Sequence, residues 1–286
     1  MAPFGAPHRR RLLGRALLAA LIVALLIPTG ALADALTPES GGSPNADDID
    51  SLYKVLLYVA VVVLIGVEGT LLYSILRFRR RKGRVPAQIR GNTNLELGWT
   101  VLAALVLVIL VAVTFIKLPG IKNPARSGAS GLVARDGALV AAVDQPPPPG
   151  GKALRIDVNG QQYIWRFTYP NGAFSYETMV VPVDTTVLLR IQSQDVAHSW
   201  WIPKLGPKFD AIPGYVNKSW FKIPKPGTYR GQCAELCGRN HANMLAAVRA
   251  VPVDEYRSWV ARQLQQIQQA NQEAVQQRKS QSPIPG

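Results

Sequence analysis

Cys233-Ala-Glu-Leu-Cys237-Gly-Arg-Asn-His241-Ala-Asn-Met244 gathers both cysteines of the chain, one histidine and a thioether within twelve residues. Thiolate, imidazole and thioether together favour copper. The chain has three histidines; His8 falls in a segment read below as removed, so His198 is the remaining distant donor. Spacings of four, four and three could place the donors on one helical face, but the flanks argue otherwise. Pro226-Gly-Thr-Tyr-Arg-Gly-Gln reads as a strand opened by a turn, Gly238 interrupts the motif, and Ala246-Ala-Val-Arg-Ala-Val251 resumes as a strand. The pattern predicts a ligand loop between two strands that closes on His198.

Three other chemistries compete for these residues. A Cys233–Cys237 disulfide suits an oxidising compartment but leaves His198, His241 and Met244 without a role. A structural zinc site would use Cys233, Cys237, His198 and His241 as a tetrahedral set, and leaves Met244 unexplained. A mononuclear blue-copper site needs two histidines, one cysteine and an axial methionine, so one thiolate is surplus. Two coppers bridged by both thiolates, with one histidine each, Met244 on one metal and a backbone carbonyl on the other, use every donor.

Cys-x-Glu-x-Cys-Gly-x-x-His-x-x-Met with an upstream His198-Ser-Trp200 resembles the CuA centre of subunit II of haem-copper cytochrome c oxidases. Asp195-Val-Ala-His198, Asp210-Ala-Ile-Pro-Gly214 and Gly231-Gln-Cys233 resemble further segments of that family. The resemblance implies a copper pair held by His198, Cys233, the Glu235 carbonyl, Cys237, His241 and Met244. It also implies a magnesium ion on the Glu235 carboxylate at the boundary with subunit I.

The 286 residues carry a net charge of +14, yet the distribution argues against nucleic acid as a partner. Arg9, Arg10, Arg11 and Arg15 precede an apolar run, Leu17 to Ile27, and Ala31-Leu-Ala33. That is the pattern of a signal peptide over 1–33, whose cleavage after Ala33 would remove His8; the alternative is an uncleaved first membrane anchor. An extracytoplasmic segment, 34–50, follows. A second basic block, Arg77, Arg79, Arg80, Arg81, Lys82, Arg84 and Arg90, lies in a loop, 77–95, between two apolar stretches. Leu52 to Leu76 would span about 37 Å as a helix and Val101 to Leu118 about 27 Å, each enough to cross a bilayer. The positive-inside rule puts the loop in the cytoplasm and both flanks outside. The expected arrangement is a transmembrane hairpin, 51–118, in the plasma membrane with the copper loop on the extracytoplasmic side.

Glu68 lies within the first span, where an ionisable group is costly and is normally turned toward a protein partner. Glu96-Leu-Gly-Trp99-Thr resembles the Glu-x-x-Trp-Thr of subunit II, which implies that Glu96 stands at the mouth of a proton channel. By itself Glu96 is an ordinary carboxylate at a helix start.

Pro119 is expected to end the second helix, and 119–152, with Pro146 to Pro149, reads as a Gly/Pro-rich linker. Over 153–253 come short β-prone runs: Ala153 to Val158, Gln162 to Tyr169, Thr178 to Val183, Thr186 to Gln192, Lys218 to Ile223, Thr228 to Gln232 and Leu245 to Val251. These suggest a sandwich or Greek-key barrel, which the resemblance narrows to a cupredoxin fold. The fold class is thus a membrane-anchored all-β protein, a two-helix hairpin followed by a cupredoxin-like barrel. Asp254 to Lys279 reads as a helix docked by Trp259, Leu264 and Ile267, continuing into a Gln-rich tail to residue 286. No Cys-x-x-Cys-His occurs, so no covalent haem domain is fused here.

The resemblance implies a respiratory oxidase subunit that accepts single electrons from a cytochrome c and passes them to the haem of subunit I, where oxygen is reduced and protons are pumped. The alternative function is a membrane-anchored copper chaperone, for which two anchors and a His-x-x-Met after the cysteines are unusual. The chain departs from the family where Gln-Trp-x-Trp becomes Gln162-Tyr-Ile-Trp165. Tyr163 then takes the position at which electrons enter, and Trp165 matches the second tryptophan. Tyr215 stands where an arginine is frequent. Between Gly150 and Val260, thirteen Lys and Arg face eight Asp and Glu, a balance of +5. A basic cytochrome would be repelled, which argues for a donor that is acidic or tethered in a supercomplex.

Overall fold

A computed structural model describes residues 36–79, 88–131 and 153–281. The expected signal peptide, His8, most of the cytoplasmic basic block and the run Pro146 to Pro149 lie outside the described residues. Two apolar helices, α1 (Pro44–Arg77) and α2 (Thr93–Lys122), lie against each other. Both meet the length and hydropathy of membrane spans.

The helices are longer than expected. α1 begins at Pro44 rather than 51, because a proline is pre-set for the first helical turn and that turn is anchored on the barrel. Asn45 Nδ2 donates to the Trp220 carbonyl at 2.9 Å, and the Lys222 N–H donates to Ser43 Oγ at 3.1 Å. α2 starts at Thr93, where the Asn92 side chain accepts the Leu95 N–H at 3.1 Å and satisfies one orphan donor. It also continues past Pro119 to Lys122. Proline removes one backbone donor, but the turn beyond it is secured by Trp220 Nε1 donating to the Ile121 carbonyl at 2.9 Å. The described start of the expected linker is likewise docked: Thr186 bonds Ala125 and Ser127, and the Gly128 N–H donates to the Asp184 carbonyl.

Ten strands form the barrel: β1 (Leu154–Gln161), β2 (Ile164–Thr168), β3 (Phe174–Tyr176), β4 (Thr178–Pro182), β5 (Thr186–Ser193), β6 (His198–Trp201), β7 (Phe209–Ala211), β8 (Asn217–Lys222), β9 (Gly227–Cys233) and β10 (Leu245–Val251). They make two five-stranded sheets, β3-β2-β1-β5-β8 and β4-β10-β9-β6-β7. β1/β5 and β4/β10 are parallel and the other pairs antiparallel, so the chain crosses repeatedly between sheets, as expected of a cupredoxin-like sandwich. Alternation sets the core: Leu154, Ile156 and Val158 point inward from β1 while Arg155 and Asp157 are partly exposed.

Two strand expectations are corrected. Gln162 and Tyr163 form the turn between β1 and β2, not the start of a strand. The short β3, β6 and β7 were not expected, since three or four residues carry too little alternation to register. A final helix, α3 (Val253–Gln281), docks through Tyr256 and Trp259. Both rings meet Tyr169, whose hydroxyl donates to the Val180 carbonyl at 2.9 Å. Leu264 and Ile267 are only half-buried, and the helix is exposed from Gln268 to Ser280.

Candidate metal centre

β9 and β10 are joined by the loop 234–244, which folds back because the Cys233 N–H donates to the Met244 carbonyl at 2.9 Å. The Ala234 N–H donates to the Ser199 carbonyl at 2.8 Å, tying the loop to β6. This closure brings the loop onto His198, as the sequence suggested. Cys233, Cys237, Met244 and His198 are buried, and His241 is half-buried.

The sulfurs of Cys233 and Cys237 are 3.9 Å apart and unjoined. Two thiolates about 2.3 Å from a shared ion at a tetrahedral angle would lie about 3.8 Å apart, so the pair is spaced for metal and not for a disulfide. His198 Nδ1 faces Cys233 Sγ at 3.9 Å, whereas His241 Nδ1 faces Cys237 Sγ at 3.5 Å. His198, Cys233 and Cys237 present donors within 4.8 Å of one another, a group that does not include His241. The two imidazoles therefore serve different sulfurs. Met244 Sδ lies 3.8 Å from Cys237 Sγ, and the Glu235 carbonyl lies 3.2 Å from Cys233 Sγ. The donor set fits two soft ions better than one zinc, whose four ligands must converge on a point and exclude thioether.

Asp195 was not singled out from the sequence, yet it orients the site. Its Oδ1 lies 2.8 Å from His198 Nε2. Burial pushes its carboxyl upward, but the Gln162 N–H, the His198 ring and the Val196 N–H outweigh this and hold it at about 2. An ionised carboxylate only accepts. His198 Nε2 must therefore carry the proton, which leaves the Nδ1 lone pair facing the sulfurs. Burial first, and then Cys233, pushes the Cys237 thiol up to about 11. In the absence of a metal it stays protonated, and binding a cation would release that proton.

Two glycines shape the surroundings. A Cβ on Gly160 would lie 3.0 Å from His198 Cδ2 and 3.1 Å from Trp165 Cζ3, so β1 leaves a slot for the ligand ring. Gly238 has a φ of +133°, and a Cβ there would meet Tyr163 Oη at 2.6 Å. Tyr163 thus lies against the metal loop, and Gln162 Nε2 donates to the Cys237 carbonyl at 2.6 Å. Trp165 is fully buried, its ring centre 5.8 Å from that of His198 in an edge-on arrangement. On another side a cavity of about 600 Å³ is lined by Glu39, Trp201, Lys208, Cys233, Ala234 and His241.

The remaining expected residues lie apart. The Glu235 side chain is exposed while its carbonyl points to the sulfurs. Glu96 is at the far end of α2, where its Oε1 accepts the Asn92 N–H at 3.3 Å. Tyr215 is exposed, in the loop between β7 and β8.

Comparison with known proteins agrees with this architecture. The family described as cytochrome C oxidase subunit II, periplasmic domain, matches residues 174–251, and its transmembrane domain matches 32–118. Cytochrome c oxidase subunit 2 of Thermostichus vulcanus is 33% identical over 254 residues, covering 78% of this chain and 77% of that one. The protein of Alkalihalophilus pseudofirmus is 34% identical over 212 residues, covering 72% of this chain but only 56% of its own length. The probable subunit 2 of Rickettsia bellii is 30% identical, with 77% and 80% covered. Among solved structures, the periplasmic domain of subunit II of cytochrome oxidase of Bradyrhizobium japonicum is 35% identical, covers 40% of this chain and 96% of its own, and has a TM-score of 0.39.

Proposed function

This chain belongs to the cytochrome c oxidase subunit II family, and from that membership we propose that its barrel holds a binuclear copper centre that accepts single electrons from a cytochrome c and passes them toward the haem of subunit I. The observation that carries the reading is the division of the imidazoles, His198 beside Cys233 and His241 beside Cys237. Two coppers sharing one electron through both thiolates supply a one-electron relay of low reorganisation.

The residues around the sulfurs each have a part in that relay. Asp195 holds the His198 tautomer with Nδ1 free to bind. Met244, beside Cys237, and the Glu235 carbonyl, beside Cys233, would complete the donor set. The loop is pinned by backbone bonds to β6 and β10, so its donors keep their places as charge comes and goes. Tyr163, packed against Gly238, is the acceptance point for electrons, with buried Trp165 behind it against His198. The His241 side, beside the cavity, faces subunit I. There the Glu235 carboxylate is free to take a magnesium ion, and Glu96 opens the proton path at the cytoplasmic end of α2. The hairpin sits in the plasma membrane with the barrel outside, and oxygen reduction coupled to proton pumping belongs to the whole complex.

The basic balance of the domain favours a donor that is acidic or tethered in a supercomplex. Stopped-flow reduction of the centre in the purified oxidase should be faster with an acidic cytochrome than with a basic one at low salt, and the difference should shrink as screening grows. Fast reduction by a basic cytochrome that slows with added salt would contradict the donor assignment. No reduction of this centre by any cytochrome before the haem would contradict the function itself.

A further inference from the structure

The side chains that converge on the two sulfurs are unequally reachable from solvent. His198 and Met244 are fully buried, Cys233 and Cys237 nearly so, and His241 alone is half-buried. An ion arriving from solvent must exchange its water for protein donors step by step, because a bare charge in a packed apolar interior is strongly disfavoured. Filling the site therefore needs an aqueous space that ends on a ligand.

Among the described residues, three sides of the sulfur pair are closed. Toward β1, the His198 ring fills the slot left by Gly160 and backs onto buried Trp165, while Asp195 holds its far nitrogen. Over the loop, Tyr163 lies against Gly238, and Gln162 is bonded to the Cys237 carbonyl. Beneath it, Met244 is fully buried and its carbonyl takes the Cys233 N–H. On the fourth side Cys233, Ala234 and His241 form one wall of the cavity of about 600 Å³. At ~30 Å³ per molecule, such a space has room for about twenty waters. Its rim includes Glu39, Lys208 and Gln232, all exposed, so the space meets solvent there. Glu39 and Lys208 are opposite in sign and together leave no net charge to repel a cation. Cys237, Met244 and His198 do not border the cavity.

We propose that this cavity is the route by which the centre is loaded with copper, and that Cys233 and His241 take the ion before Cys237, Met244 and His198 do. The cargo is a cuprous ion, the state that thiolate ligands select. Cys233 gives its thiol proton to water in the cavity as its sulfur binds, and no electron moves. His241 Nδ1 lies 3.5 Å from Cys237 Sγ, so the ring that borders the cavity also leads inward to the second sulfur. The inference rests on the reading of the centre as copper, but it concerns how the site is filled and not how it passes electrons.

The full chain, metal-free and reduced in detergent, is mixed anaerobically with cuprous ion held in solution by acetonitrile, and uptake is followed by the ultraviolet absorbance of the copper–thiolate bond. Gln232→Trp and Ile49→Trp add bulk from two walls of the cavity, and neither residue is a donor. Each variant should load about tenfold more slowly, a barrier raised by about 1.4 kcal/mol. Both should still reach the wild-type copper content, which shows that fold and site are intact. Leu236→Trp adds bulk at the exposed tip of the loop, outside the cavity, and should load at the wild-type rate. Wild-type rates in both cavity variants, or slowing in Leu236→Trp alone, would overturn the entry route and leave the copper centre standing. Wild-type protein that takes up no cuprous ion would overturn the copper reading and this inference with it.

Discussion

His198 would ligate through the nitrogen that Asp195 leaves it, and two neighbours decide whether the ring can reach that pose. Gly160 is the tighter constraint, because the space a methyl would take is bounded by the ring itself and by Trp165. Gly160→Ala should therefore push His198 off the sulfurs and cost about 1–3 kcal/mol of overpacking. It should shift the optical spectrum of the loaded centre and lower the urea midpoint; an unchanged spectrum would mean that the ring does not bind metal from this pose. At this scale the sequence named the residues that the structure gathers around the two sulfurs and was silent about their supports. Cys233, Cys237, His241 and Met244 announce themselves by residue type and spacing. Asp195, three residues before His198, could have been found as the partner that a ligand imidazole ordinarily needs. Gly160 could not, since only the packed sheets reveal what faces it.

Element boundaries followed local chemistry where it was undivided and missed where tertiary contact won. Leu245–Val251 is read to the residue because it is a short β-prone run, apolar but for Arg249, that resumes directly after the ligand loop. The extension of α2 through Pro119 and of α1 back to Pro44 depends on bonds from Trp220 and Lys222, which lie about a hundred residues or more away along the chain. α3 shows a division that periodicity suggests. Its first turns carry Tyr256 and Trp259 into the core, and its remainder is glutamine-rich and exposed. Trp259→Ala should destabilise the barrel by about 3–5 kcal/mol. Ending the chain after Gln268 should leave stability within about 0.5 kcal/mol. Chemical denaturation of the two variants checks this, and a larger loss from the truncation than from Trp259→Ala would show that the tail is packed.

At the scale of the whole molecule, the hairpin and barrel act as one device. Ser43 and Asn45 at the start of α1, and Ile121 at the end of α2, are bonded to β8, so the barrel is fixed relative to the spans that would embed it. The two apolar spans were legible from sequence, because hydropathy along a chain is a one-dimensional property, whereas the bonds that fix the barrel on them were not. The docked segment 123–131 was not legible, because it follows the surface it lies on.

The central claim is a pair of coppers joined by both thiolates. Copper stoichiometry with electron paramagnetic resonance of the purified oxidase, and of its Cys233→Ser variant, tests it most directly. Two coppers for each copy of this chain are expected, with one unpaired electron spread over both and lost in the variant. One zinc, a single-copper spectrum, or Cys233 and Cys237 joined to each other in the working protein would contradict it.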